Sequence, residues 1–311
     1  MRITISIFLI GFLSICVLNA KEDRQGVYYF EKGVKLYGNP LVDNHKKKAE
    51  ELFKKAVRLG HLKASIRLGK MYGLGDGVEQ DLKLSFKFIA MAAHKGDAES
   101  QFQLGKKYEM GENVIKDLYS SFQWYLKSAE NGFKDGAFQV GRMYAEGSGV
   151  EKDLRSSMMW YEKAALNGHS DAQYMLGQAY YGGHGVHADY FQAFKWYSKA
   201  AEYKHVYALA KLGTMYYEGK GIKKNVSTSF NFLLKASKLG EVHSQYLVGM
   251  MYRSGQGVDK NIVEAYAWLS LAYENGYSIK SKLNKIEVEF SRREKIDAKS
   301  LADQYIIHYK K

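Results

Sequence analysis

Apolar and polar positions along this chain recur as a block. The stretch LGKMYGLGDGVEQD (68–81) sets the order: a Leu-Gly pair, a tyrosine three residues on, a glycine-rich corner, an apolar plug and an acid. The same order returns in LGKKYEMGENVIKD (104–117), VGRMYAEGSGVEKD (140–153), LGQAYYGGHGVHAD (176–189), LGTMYYEGKGIKKN (212–225) and VGMMYRSGQGVDKN (248–261). The lead glycines, Gly69, Gly105, Gly141, Gly177, Gly213 and Gly249, stand 36 residues apart. A fixed interval of that size marks an array of supersecondary units, each burying its apolar face against its neighbour. Between the blocks lie aromatic pairs (Trp124-Tyr125, Trp160-Tyr161, Trp196-Tyr197), followed by small residues (Ser128-Ala129, Ala164-Ala165, Ala200-Ala201). Large residues packing into small ones at that spacing belong to helix–helix contacts. Each unit is therefore predicted to hold helix A, a glycine corner, helix B and a turn.

Taken alone, the corner looks like a phosphate-binding loop. Its recurrence in every unit argues for a structural job instead. The second corner glycine (Gly77, Gly149, Gly185, Gly221, Gly257) is replaced once, by Asn113, the other residue that accepts positive φ readily. The lead glycine sits mid-helix at a cost of about 1 kcal/mol against alanine, which is tolerated where two helices approach too closely for a Cβ. The last position of the block is Asp81, Asp117, Asp153, Asp189, Asn225 or Asn261. Both residue types cap helix N-termini, whereas a catalytic carboxylate would not interchange with asparagine. Units close on Gly96, Gly132, Gly168, Gly240 and Gly276, with Lys204 the one departure.

The unit AxxxLGxxYxxGxGVxxDxxxAxxWYxKAAxxG is fullest in ALNGHSDAQYMLGQAYYGGHGVHADYFQAFKWYSKAA (165–201) and resembles the Sel1-like repeat, a relative of the tetratricopeptide repeat. The resemblance implies an all-α fold, a right-handed α-solenoid of stacked helix-turn-helix repeats. Six clear units span 62–276. A degenerate unit over 28–60 precedes them: Gly33 stands 36 residues before Gly69, and Pro40 appears where the glycine corner should be. Residues 277–311 are expected to supply a C-terminal capping helix around SRREKIDAKSLADQY, since an open-ended array needs a polar outer face. The resemblance also implies a role in holding another protein, with no catalysis and no cofactor.

Residues 1–20, MRITISIFLIGFLSICVLNA, read as a signal peptide cleaved near Ala20, which predicts a periplasmic or secreted protein. The apolar run from Ile3 to Leu18 is short for a spanning helix, which needs about 20 residues, so no stable membrane insertion is expected after cleavage. The only cysteine, Cys16, lies in this segment, so the mature chain would have no disulfide, thiol catalysis or cysteine metal site. A formal net charge of +13 points to an acidic partner, an anionic membrane surface or nucleic acid, and export argues against the last.

His184 and His187 stand three apart in one corner, but other units carry Asp, Glu, Ser, Lys or Gln in those columns and no third ligand is near. No metal site is expected there. The remaining histidines (His45, His61, His94, His169, His205, His243, His308) are read as sharing no register. No nucleophile-elbow motif is present, so the chain is not expected to be an enzyme.

Function is expected where the repeat columns vary. In arrays of this type the A helices line the concave face. Their variable positions flank the Leu-Gly pair: Arg67, Lys70, Lys106 and Arg142 in the earlier units, then Gln178, Lys211, Thr214, Leu247 and Met250. Basic residues give way to neutral and apolar ones, a gradient suited to a segment acidic at one end and apolar at the other. Resemblance to exported members of the family implies narrower roles as well. One is an immunity protein that neutralises a toxin such as a phospholipase effector. The alternative is a cell-envelope hydrolase or β-lactam-binding protein, whose relatives carry paired cysteines that this chain lacks.

Overall fold

The structure is a computed structural model and describes residues 24–310. Those residues are all-α. Helix α1 occupies residues 24–37, followed by α2 (His45–Arg58), α3 (Leu62–Leu74), α4 (Leu82–His94), α5 (Ala98–Met110), α6 (Leu118–Glu130) and α7 (Lys134–Glu146). Then come α8 (Leu154–Leu166), α9 (Ser170–Gly182), α10 (Tyr190–Glu202), α11 (Val206–Glu218), α12 (Val226–Lys238), α13 (Val242–Ser254), α14 (Ile262–Glu274), α15 (Lys280–Glu289) and α16 (Arg292–Tyr309). The described residues form two compact units, divided between Asp153 and Leu154. Within each, an A helix packs on the B helix that follows it and on the one before: α3 on α2 and α4, α5 on α4 and α6, α11 on α10 and α12, α13 on α12 and α14. This is an α-solenoid. The expected signal peptide at residues 1–20, with Cys16, lies outside the described residues.

The repeat columns take the positions their chemistry demands. A Cβ on Gly177 would lie 2.5 Å from the ring of Tyr197, which is fully buried on α10. One on Gly213 would lie 2.6 Å from Leu233 Cγ on α12. The lead glycine thus lets helices A and B touch. The degenerate unit keeps this contact, with Gly33 against Phe53 at 2.6 Å, although its glycine corner is gone.

Each corner is closed by its own backbone. The amide of the capping residue donates to the carbonyl of the column tyrosine: Asp81 to Tyr72 at 3.0 Å, Asp189 to Tyr180 at 2.8 Å, Asn225 to Tyr216 at 2.9 Å. The same side chain then caps helix B, Asp81 accepting from Lys83 and Leu84 and Asn225 from Thr228. The tyrosine rings pack between successive B helices; Tyr216 lies 5.6 Å from Phe194 on α10 and 5.5 Å from Phe232 on α12, centroid to centroid.

Residues 277–311 hold two helices, α15 and α16, where one was expected. The segment KSKLNKIEVE of α15 buries only Leu283 and Ile286, too few apolar residues to announce a helix. The expected capping segment is α16, started by a capping box between Ser291 and Glu294 and packed on α14. Trp268, 1% exposed, sits beneath Tyr305 and Tyr309 of α16 with ring centroids 4.7 and 5.8 Å away. Among the described residues, no helix is long and apolar enough to cross a membrane.

Candidate functional site

The A helices carry the nine expected partner-binding residues, and the two units treat them differently. In the first unit two of the four cations are ion-paired and a third rests on an aromatic ring. The Arg67 guanidinium lies 4.0 Å from the centre of the Tyr37 ring, a cation–π contact. Lys70 Nζ pairs with Glu99 Oε1 at 3.2 Å. Arg142 pairs with Glu109, with Glu146 at 3.0 Å, and donates from Nε to Gln139 at 2.7 Å. Glu109 also accepts from the Tyr125 hydroxyl at 2.7 Å, and burial followed by this carboxylate pushes the phenol far up. Of the four cations, Lys106 alone is exposed and has no ion-pair partner among the described residues. Two of the four cations are thus ion-paired, while Arg67 and Lys106 keep their charge without an ion-pair partner among the described residues. Read column by column, the sequence hides this, because Lys70 and Glu99 sit 29 residues apart in different columns, and Arg142 and Glu109 sit 33 apart.

In the second unit three of the five expected residues line one groove. Gln178 donates to the Tyr174 hydroxyl, and Lys211 lies over the Tyr181 ring at 5.7 Å, so both are engaged locally. Thr214 on α11 returns its hydroxyl to the Ala210 carbonyl at 3.1 Å. Beside it Leu247 and Met250 of α13 are half-buried. Together with Tyr217, Leu233, His243 and Met251 these line a cavity of about 500 Å³. Tyr217, 39% exposed, stands at its rim with its hydroxyl donating to Gln256 at 3.1 Å. Tyr217 was missed from sequence. It lies three residues after Thr214 on the same helix face, and that stripe was the available signal.

Three histidines do share a register, contrary to the reading from sequence. His61, His169 and His205 each occupy the N-cap of an A helix. At His205, Nδ1 accepts from the Ala208 amide at 3.1 Å, Nε2 faces Asp171 at 3.2 Å, and the ring stacks on Tyr174 with centroids 4.6 Å apart. An accepting Nδ1 is unprotonated, so Nε2 carries the proton towards Asp171. Burial lowers the pKa of this ring, and Asp171 only partly opposes it. A folded pKa below the unfolded value of about 6.5 means the neutral ring stabilises fully above that pH, and the contribution is lost as pH falls through it. His205→Asn keeps a capping oxygen and is expected to flatten this loss. The check is the urea midpoint of both proteins measured from about pH 8 to pH 5, the window around that pKa.

Among the described residues, no group of three or more His, Cys, Asp or Glu side chains could hold a metal ion. His184 and His187 are exposed in their corner.

A family model described as Sel1 repeat matches residues 26–61, 62–97, 98–133, 134–169, 170–202, 206–241 and 242–277. Its first match falls on the degenerate unit. A Sel1 repeat protein from Oxalobacter formigenes is 31% identical over 74% of this chain and 97% of its own, with a TM-score of 0.62. A protective antigen of uropathogenic Escherichia coli that displays an SLR fold is 26% identical over 95% of this chain and 78% of its own, with a TM-score of 0.41. The immunity protein Pa5087 from Pseudomonas aeruginosa is 17% identical over 68% of this chain and 81% of its own, with a TM-score of 0.39. The last two superpose loosely. No curated protein matches the chain.

Proposed function

Because the chain belongs to the Sel1 repeat family, whose repeats serve as protein-interaction scaffolds, we propose that it is an exported scaffold that holds a partner protein in the α11–α13 groove, without catalysis of its own. The observation that carries this reading is the convergence of Thr214, Leu247 and Met250 with the exposed Tyr217 around one cavity. Tyrosine and methionine are enriched in protein interfaces, and a methionine wall adapts to an inserted side chain. The groove suits an apolar anchor. Lys211, which has no ion-pair partner among the described residues, would meet an acidic group beside that anchor.

The immunity role is a narrower form of the same reading. It rests on the family resemblance and on the expected export; the loose superposition on an immunity protein adds nothing to it.

The test is affinity capture from the source cells and their neighbours with residues 21–311, read by mass spectrometry. Leu247→Asp with Met250→Asp, and separately Tyr217→Ala, are expected to weaken the captured complex tenfold or more, as truncating an interface hot spot does. Lys106→Glu should leave it intact. Tyr217→Ala removes an exposed ring and guards against a result caused by unfolding. A toxin as the captured protein gives the immunity form; an envelope component gives the scaffold form alone. Equal capture by all variants would overturn the assignment of the groove.

A further inference from the structure

Lys204 is the one closing residue of a repeat that is not glycine, and its backbone does not compensate. It sits at φ +58, in the left-handed region that glycine adopts at φ +76 in Gly168 and +91 in Gly240. A non-glycine residue there is strained, and such strain persists where something else holds it. Lys204 stands at the mouth of a cavity of about 580 Å³ on the B-helix side of the second unit. Leu209, Leu212, Phe232 and Leu239 form its apolar lining, with Leu209 and Leu212 buried. Two further lysines, Lys235 and Lys238, edge the same cavity. None of the three has an ion-pair partner among the described residues, although Lys235 lies 5.6 Å from the Phe232 ring centroid. One acid, Glu202, also lines the rim, leaving a net positive mouth over an apolar floor.

We propose that this cavity binds a single-chain amphiphile with an anionic head group, the chain lying on Leu209, Leu212 and Phe232 and the head group meeting Lys204, Lys235 and Lys238. Its volume falls in the range of ligand pockets, about 300–1,000 Å³. Unpaired lysines converging on apolar surface are matched by a carboxylate or phosphate on an alkyl tail, and by neither end alone. The site is separate from the α11–α13 groove and stands whether or not that groove holds a protein.

The test separates binding from folding because the informative substitution restores the residue used by the other repeats. Decanoate, decyl phosphate and 1-decanol are titrated calorimetrically into the full chain and into Lys204→Gly. Saturable binding of decanoate or decyl phosphate, at least tenfold tighter than 1-decanol, is expected, since one charge-assisted contact is worth about that factor. Lys204→Gly should weaken the anion about tenfold while raising the melting temperature by about 2–4 °C, the shift expected from relieving one left-handed lysine. Lys235→Gln with Lys238→Gln should weaken it further. The relative strength of carboxylate and phosphate identifies the head group. Equal binding of 1-decanol, no saturable anion binding, or a Lys204→Gly protein that binds as tightly as the original would each overturn the proposal.

Discussion

Replacing Gly221 with valine is expected to destabilise the second unit by about 4 kcal/mol, the sum of backbone strain and overpacking, each about 1–3 kcal/mol. Gly221 sits at φ +70, where a β-branched residue is strained in any surroundings. A Cβ there would also lie 2.5 Å from the carbonyl carbon of Tyr190, the first residue of α10. The obstacle is backbone, so no rotamer change can relieve it. The corner glycine thus has two jobs: it turns the chain after helix A, and it lets that turn rest on the start of the preceding B helix. Gly257 repeats the arrangement against Val226, and Gly149 against Leu118. Gly96→Ala is the control. It shares a positive φ but meets nothing within 4 Å, so it should lose only about 1–2 kcal/mol of backbone strain. Thermal unfolding followed by circular dichroism compares the two; an equal loss would mean that the close approach contributes nothing.

Trp268→Ala should rank next, costing about 4 kcal/mol as large-to-small substitutions of a buried tryptophan do. The ring is 1% exposed and is covered by Tyr305 and Tyr309 of α16. The same core cluster contains Val248 and Met251 of α13, with Leu247 packed against it. Emptying it loosens both the terminal helix and one wall of the groove. The prediction is a melting temperature lower by about 10 °C, early hydrogen exchange in α16, and weaker partner binding. Trp268→Phe fills most of the space, and the indole Nε1 has no hydrogen-bond partner to lose. Its cost should stay below about 1.5 kcal/mol. If alanine and phenylalanine behave alike, α16 is not held by this ring.

Features decided within one repeat, or repeated in register, were legible in the sequence. The lead glycine, the corner and the cap of helix B each have a local physical cause, and a six-fold column makes that cause visible. Even the degenerate unit could be placed, because Gly33 stands 36 residues before Gly69, and the structure shows it meeting Phe53 as Gly177 meets Tyr197. What joins different columns was not legible. Lys70 meets Glu99, and Arg142 meets Glu109, only after the helices stack, so two of the four cations read as free are ion-paired. Reversing Arg142 to glutamate would consequently disturb the Glu109 and Tyr125 network before it tested any partner. The histidine caps were legible and were overlooked: His61, His169 and His205 lie at multiples of the 36-residue period. Thr214, Leu247 and Met250 were singled out as variable columns, but Tyr217 and the cavity they share depend on how α11 and α13 pack.

Hydrogen exchange of the captured complex, compared with the free chain, tests the central claim most directly. Protection is expected to concentrate in the amides of α11 and α13, around Thr214, Tyr217, Leu247 and Met250, with α3 and α5 unchanged. Protection confined to the A helices of the first unit, or to the B helices, would contradict the account.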